Sequence, residues 1–92
     1  MVMAGISEQR LSQLADELGN HPGVRNLGLA LGFKKVRIDQ YIATNHTGGT
    51  VGNRGTLNML FDWKSNTLRR DQIPKLREAL ISAGFAELAE EL

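Results

Sequence analysis

The sequence contains no cysteine, and only two of its 92 residues are histidine. Without cysteine the chain can form no disulfide, no thiolate metal site and no thiol nucleophile. His21 and His46 both lie in stretches predicted as loops, and no HExxH spacing accompanies them. We therefore expect no metal site and no cofactor. The absence of cysteine is also consistent with a reducing compartment, so we expect the chain in the cytoplasm.

Long apolar runs are missing as well, since no stretch approaches the roughly 20 residues of a membrane-spanning helix. The uncharged start, Met1–Gly5, is too short for a secretory signal. Residues 1–6 are expected to form an N-terminal tail, and residues 7–92 one folded domain, because a chain of this length supports a single core. We expect no contact with a membrane.

Catalytic motifs are also absent from the sequence. No glycine-flanked serine of the nucleophile-elbow type occurs. Adjacent carboxylates such as Asp16-Glu17 point in different directions from a helix, so they do not form an acid–base pair. The glycine-rich stretch 48–56 has no P-loop lysine and follows a predicted helix rather than a strand. The sequence therefore predicts a connector at this stretch and a protein that is not an enzyme.

What the sequence does contain is a series of apolar stripes at helical spacing, several of which stop at a glycine. The run Leu14-Ala15-Asp16-Glu17-Leu18-Gly19 is followed by a similar run, Leu27-Gly28-Leu29-Ala30-Leu31-Gly32. Such stripes are typical of short helices that must pack on one another. They predict helices at about 7–18, 23–31, 34–44, 53–65, 71–83 and 85–92, a mobile surface loop at 45–52, and no strand. The fourth helix has the widest apolar arc and is expected to be central.

Local signals refine the predicted helix ends. Ser7 is expected to cap the first helix, and Gly19 to end it in the left-handed conformation. Gly28 lies inside the second helix, where glycine costs about 1 kcal/mol relative to alanine but lets a neighbouring helix approach closely. Asp71 is expected to cap the fifth helix, which places Pro74 in its first turn.

The net charge of +1 conceals a segregation of charge along the chain. Counting Lys and Arg against Asp and Glu, residues 1–20 carry −2 and residues 84–92 carry −3, whereas residues 21–46 and 64–83 carry +3 each. A molecule with acidic ends and a basic middle is polar if its ends meet in space. The alternative is that these charges are ordinary solvated helix faces.

The pattern of apolar stripes and glycines extends over most of the chain, from Leu11 to Leu92. The residues that carry it are Leu14, Ala15, Leu18 and Gly19, then Val24, Leu27, Gly28, Leu31 and Gly32, then Ile38, Tyr41 and Ile42, then Met59, Leu60 and Trp63, and finally Leu76, Arg77, Ala79, Leu80, Gly84, Leu88, Ala89 and Leu92. Together they resemble a death domain. Val24 stands where that family usually has tryptophan, and Gly28 where it usually has alanine.

The resemblance implies an all-α fold, a six-helix antiparallel Greek-key bundle without catalysis. Such domains bind other death domains, homotypically or heterotypically, often in helical or ring assemblies, and serve as adaptors in apoptotic and innate-immune signalling. The resemblance also implies that the first and sixth helices lie side by side, which would pool the two acidic segments.

We accordingly predict that charged surfaces carry partner binding. The predicted basic patch comprises Arg25, Lys34, Lys35 and Arg37, the predicted acidic patch comprises Asp16, Glu17, Glu87 and Glu90, and Arg54 and Asp62 on the fourth helix are further candidates. Molecules with two unlike, complementary faces associate head to tail. Complementary charge speeds the encounter and selects the partner more than it adds affinity.

A helix-turn-helix domain that binds DNA is the alternative function. The second helix, its closing glycine and the third helix resemble a first helix, a turn and a recognition helix. Lys34, Lys35, Arg37 and Gln40 would then reach phosphates and bases. Against this hypothesis, the net charge is only +1, Asp39 lies within the recognition helix, and the five aromatic residues form no row for stacking bases. Nucleic acid is therefore the less favoured partner.

Overall fold

The computed structural model describes residues 5–19, 21–46 and 52–92. Its helices are α1 (Glu8–Leu18), α2 (Val24–Ala30), α3 (Lys35–Asn45), α4 (Arg54–Ser65), α5 (Arg69–Ser82) and α6 (Ala86–Glu90). The described ranges contain no strand, which confirms the all-α prediction. Most of the predicted loop at 45–52, namely residues 47–51, lies outside the described residues. Asn45, at its predicted start, instead belongs to the last turn of α3.

The first helix forms as its end signals predict. The Ser7 hydroxyl oxygen accepts a hydrogen bond from the Arg10 backbone N–H at 3.1 Å, which satisfies one of the free donors at the helix start. Gly19 ends the helix with a φ of 53°, a value that favours glycine over residues with a Cβ. The Ser7 cap is confirmed. Gly19 ends the helix with a positive φ, but its ψ of −127° lies outside the left-handed helical region, so that part of the prediction is wrong.

The start of α5 differs from the prediction. Leu68 occupies the N-cap position and the helix begins at Arg69, so Asp71 lies within the first turn and does not cap it. Pro74 consequently lies inside the helix rather than in its first turn. Its missing N–H leaves the Arg70 carbonyl without its usual intrahelical donor, on an exposed part of the helix where water can replace it.

The core receives side chains from every helix and is centred on α4, as predicted. Met59 and Leu60 have no exposed surface, and Trp63 retains only 5%. Helix α4 packs against α1 on one side and α3 on the other, while α2 packs against α3 and α5. The other core residues include Leu11, Leu14, Leu18, Val24, Leu27, Tyr41, Leu76, Ala79, Leu80 and Ala89.

Two glycines allow close contacts between helices. A Cβ on Gly28 would lie 2.8 Å from Cγ1 of Ile38 and 3.1 Å from the Met59 sulfur, so the predicted close approach at Gly28 is confirmed. A Cβ on Gly55 would lie only 1.6 Å from the Tyr41 carbonyl oxygen. Helices α3 and α4 therefore touch backbone to backbone at Gly55, a residue that belongs both to the glycine-rich stretch 48–56 and to the predicted fourth helix.

The folded part begins earlier than the predicted boundary at residue 7. Ile6 lies in the core with 3% of its surface exposed, and its backbone N–H donates to Oε1 of Gln72 at 3.1 Å. A single apolar residue ahead of a helix has no periodicity, so the sequence pattern could not indicate its burial. In the described ranges no helix is both long enough and apolar enough to cross a bilayer.

Candidate interaction surface

The predicted basic patch is partly neutralised within the chain. The Arg25 guanidinium on α2 forms an ion pair with the Asp39 carboxylate on α3, and each side chain remains 46% exposed. On the other side of α3, Arg37 pairs with Asp62 of α4 at 3.5 Å. Since Arg37 and Asp39 are two residues apart, they leave the helix in nearly opposite directions. The four predicted cations therefore do not form one unopposed patch.

Arg37 and Asp62 form a cluster with Tyr41. The Tyr41 hydroxyl donates to the same Asp62 carboxylate oxygen that Arg37 approaches. The Arg37 guanidinium also lies 5.7 Å from the centre of the Tyr41 ring. Burial of the phenol raises the pKa of Tyr41 above its ordinary value, and its hydrogen bond to Asp62 acts in the same direction, whereas Arg37 opposes the shift. The cluster links α3 to α4.

Lys34 and Lys35 are the members of the predicted basic patch that keep an unopposed charge. Both are exposed at the start of α3, and neither forms an ion pair in the part of the chain that the structure describes. Val36 follows them with 71% of its surface exposed. This short stretch therefore presents two cations beside one apolar side chain.

The predicted acidic residues of α1 divide between two sides of the helix. The Asp16 carboxylate accepts a hydrogen bond from the Asn53 side-chain amide at 2.6 Å, so it faces the start of α4. Glu17 is exposed and lies seven residues after Arg10. Seven residues make about two turns, so Glu17 shares the helix face of Arg10 rather than that of Asp16.

The Arg10 face of α1 is the one that meets α6. The Arg10 guanidinium donates to the Glu91 carbonyl just after α6 ends. At the opposite end, the His21 ring packs edge-to-face on Phe85, with the ring centres 5.1 Å apart. The start of α1 thus lies near the end of α6, and the end of α1 near its start. Helices α1 and α6 therefore touch through these side chains near their ends, whereas the main packing of α1 is against α4.

The end of α6 carries further positive charge from another helix. Arg77 of α5 donates to the Leu92 carbonyl at 3.3 Å, beside the contact that Arg10 makes. Cations near a helix C-terminus are favourable because the carbonyl ends of the helix carry partial negative charge. Glu87 and Glu90 of α6 are exposed and form no ion pair with any described residue. Together with Glu17 they define what we call the acidic edge.

The two remaining candidates on α4 differ in their surroundings. Arg54 is exposed at the first position of the helix and has no acidic partner among the described residues. The Asp62 carboxylate accepts hydrogen bonds from Tyr41 and Arg37, so its charge is already paired within the chain.

A buried polar cluster, which the sequence did not indicate, holds the start of α4. The Asn45 side-chain oxygen accepts from the backbone N–H groups of Gly55 at 2.8 Å and Thr56 at 3.2 Å. The Asn45 amide donates to the Thr56 hydroxyl at 3.0 Å, and that hydroxyl donates to the Gly19 carbonyl at 2.8 Å. Asn45 at the end of α3 therefore caps α4, which has no side-chain cap of its own.

Gln72 plays a similar role at the other end of α4. Its amide nitrogen donates to the carbonyls of Lys64 at 3.2 Å and Thr67 at 3.0 Å, while its oxygen accepts from Ile6. No buried side-chain nitrogen or oxygen of the described residues lacks a partner. A polar residue on the inner side of a predicted helix is the one sequence signal that points to Gln72.

Concave sites on the surface are shallow and chemically mixed. One cavity of about 430 Å³ lies between the end of α2 and α5, and its lining includes Trp63, Lys75, Glu78 and Ser82. Among the described residues, no three His, Cys, Asp or Glu side chains are grouped as metal ligands would be. The candidate surface for a macromolecular partner is therefore formed by the exposed charges.

Comparisons of the chain with protein-family models, with curated proteins and with solved structures found no match. The function of the protein must therefore be inferred from its fold and its exposed charges.

Proposed function

We propose that the protein is a non-catalytic protein–protein interaction module that associates with other death domains, including copies of itself. The death-domain resemblance of the sequence supports this proposal, and the contact of Arg10 with the Glu91 carbonyl, which brings the start of α1 near the end of α6, is compatible with it. In the proposed arrangement the six helices form a Greek-key bundle.

The observation that carries the proposal is the separation of opposite, unpaired charges on the surface. Lys34 and Lys35 begin α3, whereas the acidic edge of Glu17, Glu87 and Glu90 belongs to α1 and α6. A surface of one sign on one copy fits the surface of opposite sign on the next, and such head-to-tail contacts propagate unless the rotation closes a ring. The module would thus build homo-oligomeric or helical assemblies and act as an adaptor in cytoplasmic signalling, of the apoptotic or innate-immune kind.

A charge reversal tests the proposal. The double variant Lys34→Glu/Lys35→Glu is expected to lose association, measured as mass against concentration by sedimentation or light scattering. A matched control is Arg70→Glu/Lys75→Glu, which changes the net charge equally at two exposed cations on another helix. Circular dichroism and thermal melting verify that both variants remain folded.

Rescue by a second reversal sharpens the test. A copy carrying Glu87→Lys/Glu90→Lys is expected to bind the Lys34→Glu/Lys35→Glu copy, because each surface then meets its opposite again. Equal loss of association in the control would mean that net charge alone governs it. Unchanged association in the Lys34→Glu/Lys35→Glu variant would contradict the proposed surface.

DNA binding is tested with the same samples. It is the weaker proposal, because Arg37 and Asp39 of the candidate recognition helix are both engaged in ion pairs within the chain. A DNA affinity that falls steeply with salt would favour the helix-turn-helix alternative, whereas growth in mass without DNA would favour the interaction module.

A further inference from the structure

A cavity of about 240 Å³ lies between the N-terminal segment 5–7 and the corner where α4 is followed by α5. Its lining residues are Gly5, Ile6, Ser7, Lys64, Arg69 and Gln72. One water molecule accounts for roughly 30 Å³ of the liquid, so the cavity has room for a larger polar group. It is separate from both the basic start of α3 and the acidic edge.

The walls of this cavity are held by one buried amide. Gln72 is 3% exposed and binds the backbone of Ile6 through its oxygen and the backbone of Lys64 through its nitrogen. Gly5 fits against it so closely that a Cβ there would lie 2.2 Å from the Gln72 oxygen. The backbone on both sides of the cavity is therefore held in place before any ligand arrives, which lowers the entropy lost on binding.

Two cations line the cavity without any acidic partner in the described part of the chain. Lys64 and Arg69 form no ion pair, in contrast to Arg25 and Arg37. The acidic residues nearest in sequence to the two cations, Asp62 and Asp71, do not belong to the lining, and neither does Glu8. Arg69 also lies in the first turn of α5, where a cation is unfavourable because the helix end is itself positive. Lys64, by contrast, lies in the last turn of α4, where a cation is favourable, so only Arg69 is placed against the helix dipole.

We propose that this cavity binds a phosphate group, either free or carried as a monoester on a small molecule. Lys64 supplies a compact charge, and Arg69 supplies planar donors that match two phosphate oxygens. The Ser7 hydroxyl oxygen accepts from the Arg10 N–H, which leaves its own hydrogen available to donate to a bound anion. The two cations balance the charge of a phosphate dianion.

Titration with defined anions tests the site. Inorganic phosphate and O-phosphoserine are added to the protein in phosphate-free buffer, and amide chemical shifts are followed by NMR. Saturable shifts are expected around Ser7, Lys64 and Arg69, and acetate is expected to bind more weakly because it carries one charge. Tighter binding of O-phosphoserine than of phosphate identifies an organic phosphate as the ligand, and the reverse order identifies the free ion.

Variants separate this site from general attraction of anions. Lys64→Gln and Arg69→Gln are each expected to weaken binding about tenfold, the effect of losing one charge-assisted hydrogen bond. Lys75→Gln, at an exposed lysine outside both the cavity and the proposed association surface, is the matched control and is expected to bind as the parent does. Shifts that never saturate, or equal weakening in the control, would overturn the proposal. The self-association measurements are independent of this titration, so the two proposals can fail separately.

Discussion

Individual atoms decide how closely the helices of this protein pack, and Gly55 is the clearest case. Its Cα lies against the Tyr41 backbone, where a Cβ would stand 1.6 Å from the carbonyl oxygen. A flexible side chain could move away from an added methyl group, but a helix carbonyl cannot move without shifting α3. The requirement for glycine at this position therefore comes from a neighbouring helix and not from a turn.

We predict that Gly55→Ala lowers the free energy of unfolding by about 3 kcal/mol or more, since the overpacking exceeds the gain of about 1 kcal/mol in helix propensity. Urea denaturation measures the change. The matched control is Gly52→Ala, because nothing lies within 4 Å of a Cβ at that position. The control is expected to be neutral or slightly stabilising, and a stable Gly55→Ala variant would contradict the close contact of α3 with α4.

Tyr41 is expected to make the stability of the fold depend on pH in the alkaline range. Burial raises the pKa of its phenol, and the hydrogen bond to Asp62 raises it further. The unfolded chain has a tyrosine pKa of about 10, so the folded state holds its proton to higher pH than the unfolded state does. The stability from this group is therefore complete below about pH 10 and is lost as the pH rises through the folded pKa.

Urea denaturation between about pH 8 and pH 11 checks this prediction. The parent protein is expected to lose stability above about pH 10 more steeply than Tyr41→Phe, which keeps the ring but cannot ionise. Lysine titration affects both proteins alike, so the difference between their slopes isolates the phenol. Parallel pH profiles would show that the folded pKa of Tyr41 is not raised.

At the scale of elements, α4 depends on α3 for its first turn. The N-cap residue Asn53 forms no side-chain capping bond to α4, and Asn45 caps it instead from the end of α3. The same side chain reaches the Thr56 hydroxyl, which binds the last turn of α1 through Gly19. Three helices therefore meet at one buried amide.

We predict that Asn45→Ala destabilises the fold by about 2–3 kcal/mol, because it leaves buried N–H groups of Gly55 and Thr56 without an acceptor. Asn58→Ala is the matched control, since Asn58 is exposed on α4. The control is expected to stay within about 0.5 kcal/mol of the parent. Chemical denaturation measures both variants, and equal small effects would mean that Asn45 does not hold the junction.

At the scale of the whole molecule, opposite charges stay separated even though the sum is only +1. Lys34 and Lys35 are unopposed on α3, while the acidic edge is unopposed on α1 and α6, as far as the described residues extend. Two of the predicted cations, Arg25 and Arg37, are instead neutralised by Asp39 and Asp62. The surface available to a partner is thus smaller than the sequence indicated.

We predict that self-association weakens as salt is raised from about 0.1 M to about 1 M, because the screening length falls from about 10 Å to about 3 Å. Sedimentation at several salt concentrations measures this, and thermal melting of the monomer at the same salt concentrations is the control. Association that strengthens with salt would show that apolar contacts, such as one made by Val36, dominate instead.

Much of the fold could be predicted from the sequence because apolar stripes and capping residues are local signals. The Ser7 cap, the end of α1 at Gly19 and the central α4 were predicted correctly on that basis, although Gly19 does not adopt the left-handed conformation expected of it. The start of α5 was predicted wrongly, because Asp71 is a good capping residue by type, whereas the buried Gln72 binds the carbonyls of Lys64 and Thr67 just ahead of the helix. At this helix start, the hydrogen bonds of Gln72 therefore outweigh the local capping preference of Asp71.

The candidate surface also depends partly on local signals and partly on contacts between distant segments. Each charged residue could be named from the sequence, but its partner depends on which helices are neighbours. Arg25 meets Asp39 across fourteen positions and Arg37 meets Asp62 across twenty-five. Separations of that size carry no periodic signal, so no pattern of residues could show which charges remain unpaired.

The order of apolar and polar residues by itself determined an all-helical chain with glycine at its helix ends, because backbone hydrogen bonds and side-chain periodicity act over three or four positions. Only the tertiary structure decided that Asn45 caps a helix to which it does not belong, that Gly55 must lack a Cβ, and that Lys34 and Lys35 stay unopposed among the described residues. These outcomes depend on distances between segments far apart along the chain, and packing of the helices sets those distances.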